Sequence, residues 1–480
     1  MIKFPYFCGH KSALRQAQGP KLNKRLRSLS LSKSKISCAE LEISTELNAD
    51  TTIKRFNNST FNNQQINIIM KFKHLLTTAA LMLSICAAAQ PPMPKPEDKE
   101  EGEGFKFTTI KELPVTSVKD QNQAGTCWCY SSLAFFEAEL LRMGKPEYDF
   151  SEMYIVYKTY LDRAEAAVRT HGDVSFSQGG SFGDVLYAIR HYGLIPDELM
   201  PAGAMHGDSL SNFTELSAVT DPFVEGVIKS RKIQMDKDGN PLWKKALAGI
   251  YDAYLGVPPT EFTYKGKKYT PMSFAESTGL NMDDYVNLTS FTHHPFYEPF
   301  VIEVQDNWRW GKAWNLPIDE LMQVMDNAID KGYPIAWGSD VSEQGWLRGK
   351  MAGVAVLPDL EAKGRDLQGS DMAHWLGMSA ADRKKEAQSG PTPQKWVTQK
   401  ERQIAYDNYE TGDDHGMLIY GTAKDQIGNE YFIVKNSWGE AGQYKGIWYV
   451  SKAFVRYKTL NIVVHKDALP KDIAKKIGIK

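Results

Sequence analysis

The sequence predicts an α+β fold, and three stretches carry that prediction. From Cys127, "CWCYSSLAFFEAELLRMG" sets Leu133, Phe136, Leu140 and Leu141 three and four residues apart, the period of a helix, with Gly144 as its stop. Near the other end, "HGMLIYGTA" and "EYFIVKN" are apolar and β-rich, separate at the turn-like "KDQIGN", and are followed by a third strand, "GIWYVS". Between them lies a long, mostly helical stretch. Helices gathered in one part and strands in another are the mark of an α+β domain.

The elements follow in order. "QNQAGT" reads as a loop, with Gly125 free to turn and Thr126 as the N-cap of the helix that starts at Cys127. "SEMYIVYKTYLDRAEAA" is a second helix behind a strand-like "YDF". "SQGGSFGDVLYAIRHYGLIPDELMP" gives a glycine turn, an amphipathic helix and a Gly/Pro stop. Residues 203–300 read as an added, mostly helical subdomain, with one helix around "LWKKALAGIYDAYLG". "PFVIEVQDNW" is strand-like, "PIDELMQVMDNAIDKG" puts Leu321, Met325, Ala328 and Ile329 on one helical face, and "YPIAWGSDV" is a strand again. Residues 358–405 are charged, poor in large apolar residues and read as a surface excursion.

A chain of 480 residues with a formal net charge of −1 makes no general electrostatic case for nucleic acid or for an anionic membrane. Its first part is unlike the rest. Residues 1–69 are rich in Lys, Arg, Ser, Asn and Gln and lack an apolar period. "MKFKHLLTTAALMLSICAAAQ" then supplies a positive start at Lys71 and Lys73, an apolar run from Leu75 to Ile85 and an A-x-A cleavage site at Ala87–Ala89. The expectation is a signal peptide over 70–89 with Met70 as the true start, residues 1–69 being a mis-extended or disordered segment. An exported, periplasmic or secreted chain beginning near Gln90 follows, with residues 90–104 an acidic, Pro-rich linker.

Export leaves two of the five cysteines, Cys127 and Cys129. A pair one residue apart is no disulfide framework. It leaves open a redox pair, half of a metal site, two core residues, or one nucleophile with a bystander. C-x-C is not the C-x-x-C of redox enzymes, and zinc needs two more ligands, for which only the adjacent pair His293–His294 stands out. A thiol at a helix start ionises more readily, down to a pKa of roughly 3.5–7.5 beside a cation. That favours Cys127 as nucleophile, with Cys129 a small buried hydrophobe.

A cysteine nucleophile needs an imidazole, and the imidazole needs an orienting acceptor. His415 at the start of one strand and Asn436 at the end of the next meet if the two strands pair antiparallel. Alone, His415 reads more readily as a structural or solvated histidine than as a catalytic one, and "NSWG" as only a turn.

"VKDQNQAGTCW", "DHGM" and "VKNSWG", in this order, resemble the three active-site blocks of the papain-like cysteine peptidases, the C1 family. The resemblance implies a two-lobed fold, a helical lobe facing a β-rich one. It implies Cys127 as nucleophile, His415 as its partner and general acid, Asn436 as orienter and Gln121 as oxyanion-hole donor. Trp438 would shield the His to Asn hydrogen bond, with Trp128 beside the nucleophile. Gln178, Gly179 and Gly180 resemble the substrate strand, although two glycines also suit a plain loop, and Asp414 joins them as a substrate contact. No metal or organic cofactor is implied.

Two departures stand out. Ala124 occupies a position where secreted endopeptidases of the family carry a cysteine, and Cys127 lies about 290 residues from His415, against roughly 130 in papain itself. With "HPFYEPF", "PIAWGSDV" and "TGDDHGM", the chain over 105–470 looks most like the bleomycin hydrolase or aminopeptidase C branch. That branch implies removal of residues from the free N-terminus of peptides, a homo-oligomer (a hexamer) and C-terminal residues in the cleft. Here the tail is 471–480, and the Lys480 carboxylate would hold the substrate ammonium. The alternatives are an exported endopeptidase and a catalytically silent binding protein. No partner in nucleic acid and no stable membrane insertion after signal cleavage are expected.

Overall fold

The computed structural model describes residues 104–479. The expected N-terminal extension, signal peptide and most of the linker lie outside the described residues, as does Lys480.

After strand β1 (Phe107–Glu112), the helical half is built from α1 (Cys127–Arg142), α2 (Glu152–Arg169), α3 (Phe182–Tyr192), α4 (Thr214–Ser230), α5 (Leu242–Leu255) and α6 (Pro271–Thr278). A small hairpin of β2 (Phe262–Tyr264) and β3 (Lys267–Tyr269) sits just before α6. α1 is buried from Trp128 to Leu140, so it runs through the core instead of over it. Burying its two acids is tolerable because both are paired. Glu137 accepts from Thr116 Oγ1 at 2.7 Å and from Phe150 N at 3.0 Å, and Glu139 meets Arg142 at 2.8 Å. The helix stops where expected, with Gly144 left-handed at φ +71°. α2 begins where Ser151 Oγ accepts the Tyr154 N–H at 3.1 Å.

The second half builds most of a mixed sheet. Its strands are β4 (Tyr285–Thr289), β5 (Pro299–Val301), β6 (Lys312–Asn315), β7 (Ile335–Ser339), β8 (Val354–Ala355), β9 (His415–Asp425), β10 (Glu430–Lys435), β11 (Ile447–Ser451) and β12 (Thr459–His465). Helix α7 (Ile318–Lys331) precedes β7 and buries Leu321, Met325, Ala328 and Ile329 as its period requires. Between β8 and β9 run α8 (Leu360–Asp366), α9 (Gly369–Gly377), α10 (Ala380–Ala387) and α11 (Gln399–Asp407). α12 (Lys452–Lys458) joins β11 to β12, and α13 (Lys471–Lys476) follows.

The strand order is β5-β6-β4-β12-β7-β9-β10-β11-β8, with β1 also on β9. β4–β6 and β8–β11 are parallel and the other pairs antiparallel. β9 is the hub. One edge pairs with β7 over His415–Ile419 and with β1 over Gly421–Asp425, and the other edge pairs with β10. α1 packs on β9, which brings the start of that helix to the start of that strand.

The helical insertion expected over 203–300 is shorter than that. β4 and β5 fall inside it and belong to the main sheet, because "YVNLT" alternates and pairs with β12 between Tyr285–His465 and Thr289–Asn461. No helix among the described residues is long and apolar enough to cross a membrane.

Candidate active site

Cys127, Gln121, His415, Gln178, Gly179, Gly180 and Asp414 all line one cleft of about 700 Å³ between the helical and sheet halves. Three local events assemble it. The loop before α1 turns at Asn122, left-handed at φ +47°, and not at Gly125, which the sequence had favoured. Thr126 is the N-cap, yet its hydroxyl has no hydrogen-bond partner among the described residues, so the helix start is not side-chain capped. Cys127 is then the first helical residue, and its sulfur meets the N–H groups of Gly416 and Trp128.

The β9–β10 pairing supplies the imidazole. His415 opens β9, Asn436 follows β10, and His415 Nε2 lies 2.7 Å from Asn436 Oδ1. That oxygen also accepts the Ser437 N–H at 2.8 Å, so it is an acceptor and the proton sits on His415 Nε2. Nδ1 therefore carries the lone pair. It is buried and has no partner among the described residues. Trp438 stacks on the ring with centroids 4.7 Å apart and a 28° tilt, backed by edge-on Trp346 and Trp448. This apolar cover keeps water from competing for the His415 to Asn436 hydrogen bond.

Gln121 is buried, and its amide is held at both ends. Nε2 donates to Ala124 O at 2.8 Å, and Oε1 accepts from Ser437 Oγ at 2.7 Å. The second N–H of Nε2 remains for the cleft. Ser437, which the sequence reading did not single out, thus fixes Asn436 through its N–H and Gln121 through its hydroxyl. Its place inside "NSWG" was the available signal. Cys129 is fully buried with Sγ 3.6 Å from Glu152 O, a packing residue as expected. Neither it nor Cys127 is in a disulfide.

The electrostatics correct one expectation. The helix start was expected to depress the Cys127 thiol, whereas burial pushes it up to about 12. Gly416 and Trp128 N–H groups pull the other way, and Asp413 and Asp306 add to the rise. Burial likewise pushes His415 down to about 4, against the Asn436 hydrogen bond and the Asp414 charge. Low dielectric disfavours either charge alone. Were the thiol proton to pass to Nδ1, both charges would form together and each would offset the other's penalty.

Trp128 is buried and donates from Nε1 to Gln178 O at 3.0 Å. The Gln178 amide joins Gly125 N and Ser217 Oγ, each at 2.6 Å. Both glycines are demanded by crowding. A Cβ on Gly180 would lie 2.8 Å from the Trp128 ring, and one on Gly179 would lie 1.9 Å from Asp306 Oδ2. Asp414 lines the cleft, but its Oδ2 accepts the N–H groups of Val341 at 3.2 Å and Ser342 at 2.9 Å. It holds the turn after β7, a role the sequence reading had not given it.

The C-terminal segment is placed otherwise than the family pattern implied. α13 buries Ile473, and Lys476 Nζ reaches Glu320 of α7 at 2.7 Å. None of residues 466–479 lines the cleft. His293 and His294 share Glu303, at 3.0 and 2.7 Å, in a group with metal-ligand character away from the cleft lining. The Gln403 amide donates to Asp407 at 2.7 Å and to His293 Nδ1 at 3.1 Å, which puts the His293 proton on Nε2, where a metal would have to bind.

The fold and the Cys127, His415 and Asn436 arrangement define a papain-like cysteine peptidase. A family model described as the Peptidase C1-like family matches residues 75–356 and 392–479, and the chain belongs to that family. Among similar proteins are aminopeptidase G of Lactobacillus delbrueckii subsp. lactis, 24% identical over 75% of this chain and 83% of that protein, and aminopeptidase E of Lactobacillus helveticus, 25% identical with the same shares. Aminopeptidase C of Listeria monocytogenes is 24% identical, again over 75% and 83%. These place the chain in the aminopeptidase C branch. The solved structure of PepW from Lactobacillus rhamnosis shares the fold, with a TM-score of 0.58 at 18% identity over 88% of this chain and 96% of that one.

Proposed function

We propose that this cysteine peptidase is an aminopeptidase that shortens small peptides from a free N-terminus by a Cys127–His415–Asn436 thiol mechanism. The observation that carries the mechanism is the protonation pattern of His415: Asn436 holds the proton on Nε2, leaving the buried Nδ1 free to act as the base.

The Cys127 thiol gives its proton to Nδ1 as the sulfur attacks the scissile carbonyl. The tetrahedral oxyanion takes hydrogen bonds from Gln121 Nε2 and the Cys127 N–H. Collapse expels the amine, which leaves with the proton from His415 and yields a thioester. Water, deprotonated by the same Nδ1, then attacks the thioester, and its collapse frees the amino acid and restores the thiol. No cofactor enters the cycle. The aminopeptidase reading is supported by the names of the similar proteins.

The test is a mass-spectrometric time course of the full chain on one peptide, free or acetylated at its N-terminus, with Cys127→Ala as control. Stepwise loss from the free form alone is expected. Internal cuts in both forms would establish the endopeptidase alternative, and undiminished turnover by Cys127→Ala would remove the thiol mechanism. We also propose export, on the n-region, apolar run and cleavage site at 70–89. An intact mass from the native host that retains residues 1–69 would overturn it.

A further inference from the structure

The segment joining β5 to β6 leaves the sheet and crosses to the helical half. Two guanidinium groups pin it there. Arg163 of α2, with a fully buried side chain, reaches Asp306 Oδ1 at 3.1 Å and also donates to Gly179 O at 2.5 Å. Arg309 reaches Asp162 of α2 at 2.6 Å and Asp184 of α3 at 2.7 Å, and it stacks 3.9 Å over the Tyr187 ring. Asp306 covers Gly179, and Ile302, Val304 and Asn307 line the same cleft wall. Ion pairs this enclosed are costly to open, because either partner would be left uncompensated.

Among the described residues, one carboxylate beside this segment has no partner. Asp413, two residues ahead of His415, lines the cleft and makes no hydrogen bond or ion pair among the described residues, whereas Asp306 is matched by Arg163 and Asp414 by two backbone N–H groups. Among the described residues the carboxylates lining the cleft are Asp221, Asp306, Asp413 and Asp414, and no lysine or arginine lines it.

We propose that residues 302–311 form a fixed bar across the Gln178–Gly180 end of the cleft, and that Asp413 binds the substrate's N-terminal ammonium against it. The inference rests on the aminopeptidase reading and supplies a physical basis for it, a side-chain carboxylate on the cleft wall. It also accounts for an unfavourable placement. Asp413 opposes thiolate formation at Cys127, and a bound ammonium cancels that opposition once a substrate is present.

The experiment compares kcat/KM for one peptide with a free amine, with that amine replaced by hydrogen, and with an acetyl group. The free to des-amino ratio reads the ammonium contact. The des-amino to acetylated ratio reads the bar. Asp413→Asn is expected to lower the first ratio about tenfold or more, the worth of a charged hydrogen bond, and to leave the second unchanged. Arg309→Gln is expected to bring the second ratio towards one, with the milder Asp162→Asn as the check if Arg309→Gln does not keep its melting temperature. A free to des-amino ratio within twofold of wild type in Asp413→Asn would overturn the ammonium site. Continued exclusion of the acetylated peptide by a folded Arg309 or Asp162 variant would overturn the bar. Wild-type cleavage of the acetylated peptide as fast as the free one would instead sink the aminopeptidase reading itself.

Discussion

His415 Nε2 and Asn436 Oδ1 face each other at 2.7 Å because β9 and β10 pair antiparallel, with Leu418 opposite Lys435. The strand register therefore holds the imidazole, and Asn436 touches no reacting atom. Asn436→Ala should lower kcat about tenfold to a hundredfold, a part of what general acid–base catalysis supplies, with KM little changed. Trp438→Ala, which only uncovers that hydrogen bond, should cost less. Steady-state kinetics on a free-amine peptide checks both, and a Trp438 loss larger than the Asn436 loss would contradict this account.

The thiol and the imidazole should depend on each other for charge. Burial, with the Asp413 and Asp306 charges adding to it, pushes Cys127 up to about 12, and burial pushes His415 down to about 4. A raised thiol pKa means less thiolate at neutral pH, and thiolate is the form that alkylates. With His415→Asn, iodoacetamide should modify Cys127 only at strongly alkaline pH, while the wild type reacts near neutrality. Equal rates at pH 7 would mean that Cys127 ionises without His415.

How much of this was legible beforehand follows from what each residue interacts with. Cys127, His415 and Asn436 could be placed because their settings are local: a helix start, a strand start and a strand end flanking a short turn. Gln121 lies six residues from the nucleophile, within the same loop. Asp414 was assigned to substrate because its neighbour is His415, yet its carboxylate is used by Val341 and Ser342, some 70 residues away in sequence. The same limit hid Arg163–Asp306, whose partners sit 143 residues apart. β4 was missed because five residues inside a helix-rich stretch give little period to read. The thiol shift was misjudged because a helix start is visible in sequence and its burial is not.

Gln121 and Ser437 should separate contact from positioning. Gln121→Ala removes an oxyanion donor and should cost about a hundredfold or more in kcat. Ser437→Ala frees the Gln121 amide without removing it and should cost less. Neither should slow alkylation of Cys127, since the thiol to imidazole proton transfer does not use them. A large alkylation defect in Ser437→Ala would show that it acts through Asn436 instead.

Gly180 tests the packing of the substrate strand. An added methyl would lie 2.8 Å from the Trp128 ring, and that indole is fixed by its bond to Gln178 O. Relief must come from a shift of the Gln178–Gly180 backbone. Gly180→Ala should destabilise by about 1–3 kcal/mol, the usual cost of overpacking, and raise KM more than it lowers kcat. Thermal melting with kinetics decides it. An unchanged melting temperature and KM would mean that the strand yields freely.

The preference for a free amine should have its own pH window. Enclosure in the cleft pushes the Asp413 carboxyl up to about 7, the nearby Asp306 and Asp414 charges push the same way, and Arg163 opposes them. Cys127 and Tyr406 also feel its charge. Asp413 opens to solvent, so water moderates the shift without reversing its sign. Below its pKa Asp413 is neutral and cannot hold an ammonium by charge. Above about pH 8 the peptide amine loses its proton instead. The free to des-amino ratio of kcat/KM should therefore rise above the ordinary carboxylate range, by no more than about pH 7, and fall again above about pH 8. Taking a ratio cancels the ionisation of Cys127 and His415, which both peptides share. In Asp413→Asn the acid-side rise should vanish while the pH profile of the des-amino peptide stays as in wild type. A rise that persists in that variant would assign the window to Asp306 or Asp414 and remove Asp413 from substrate recognition.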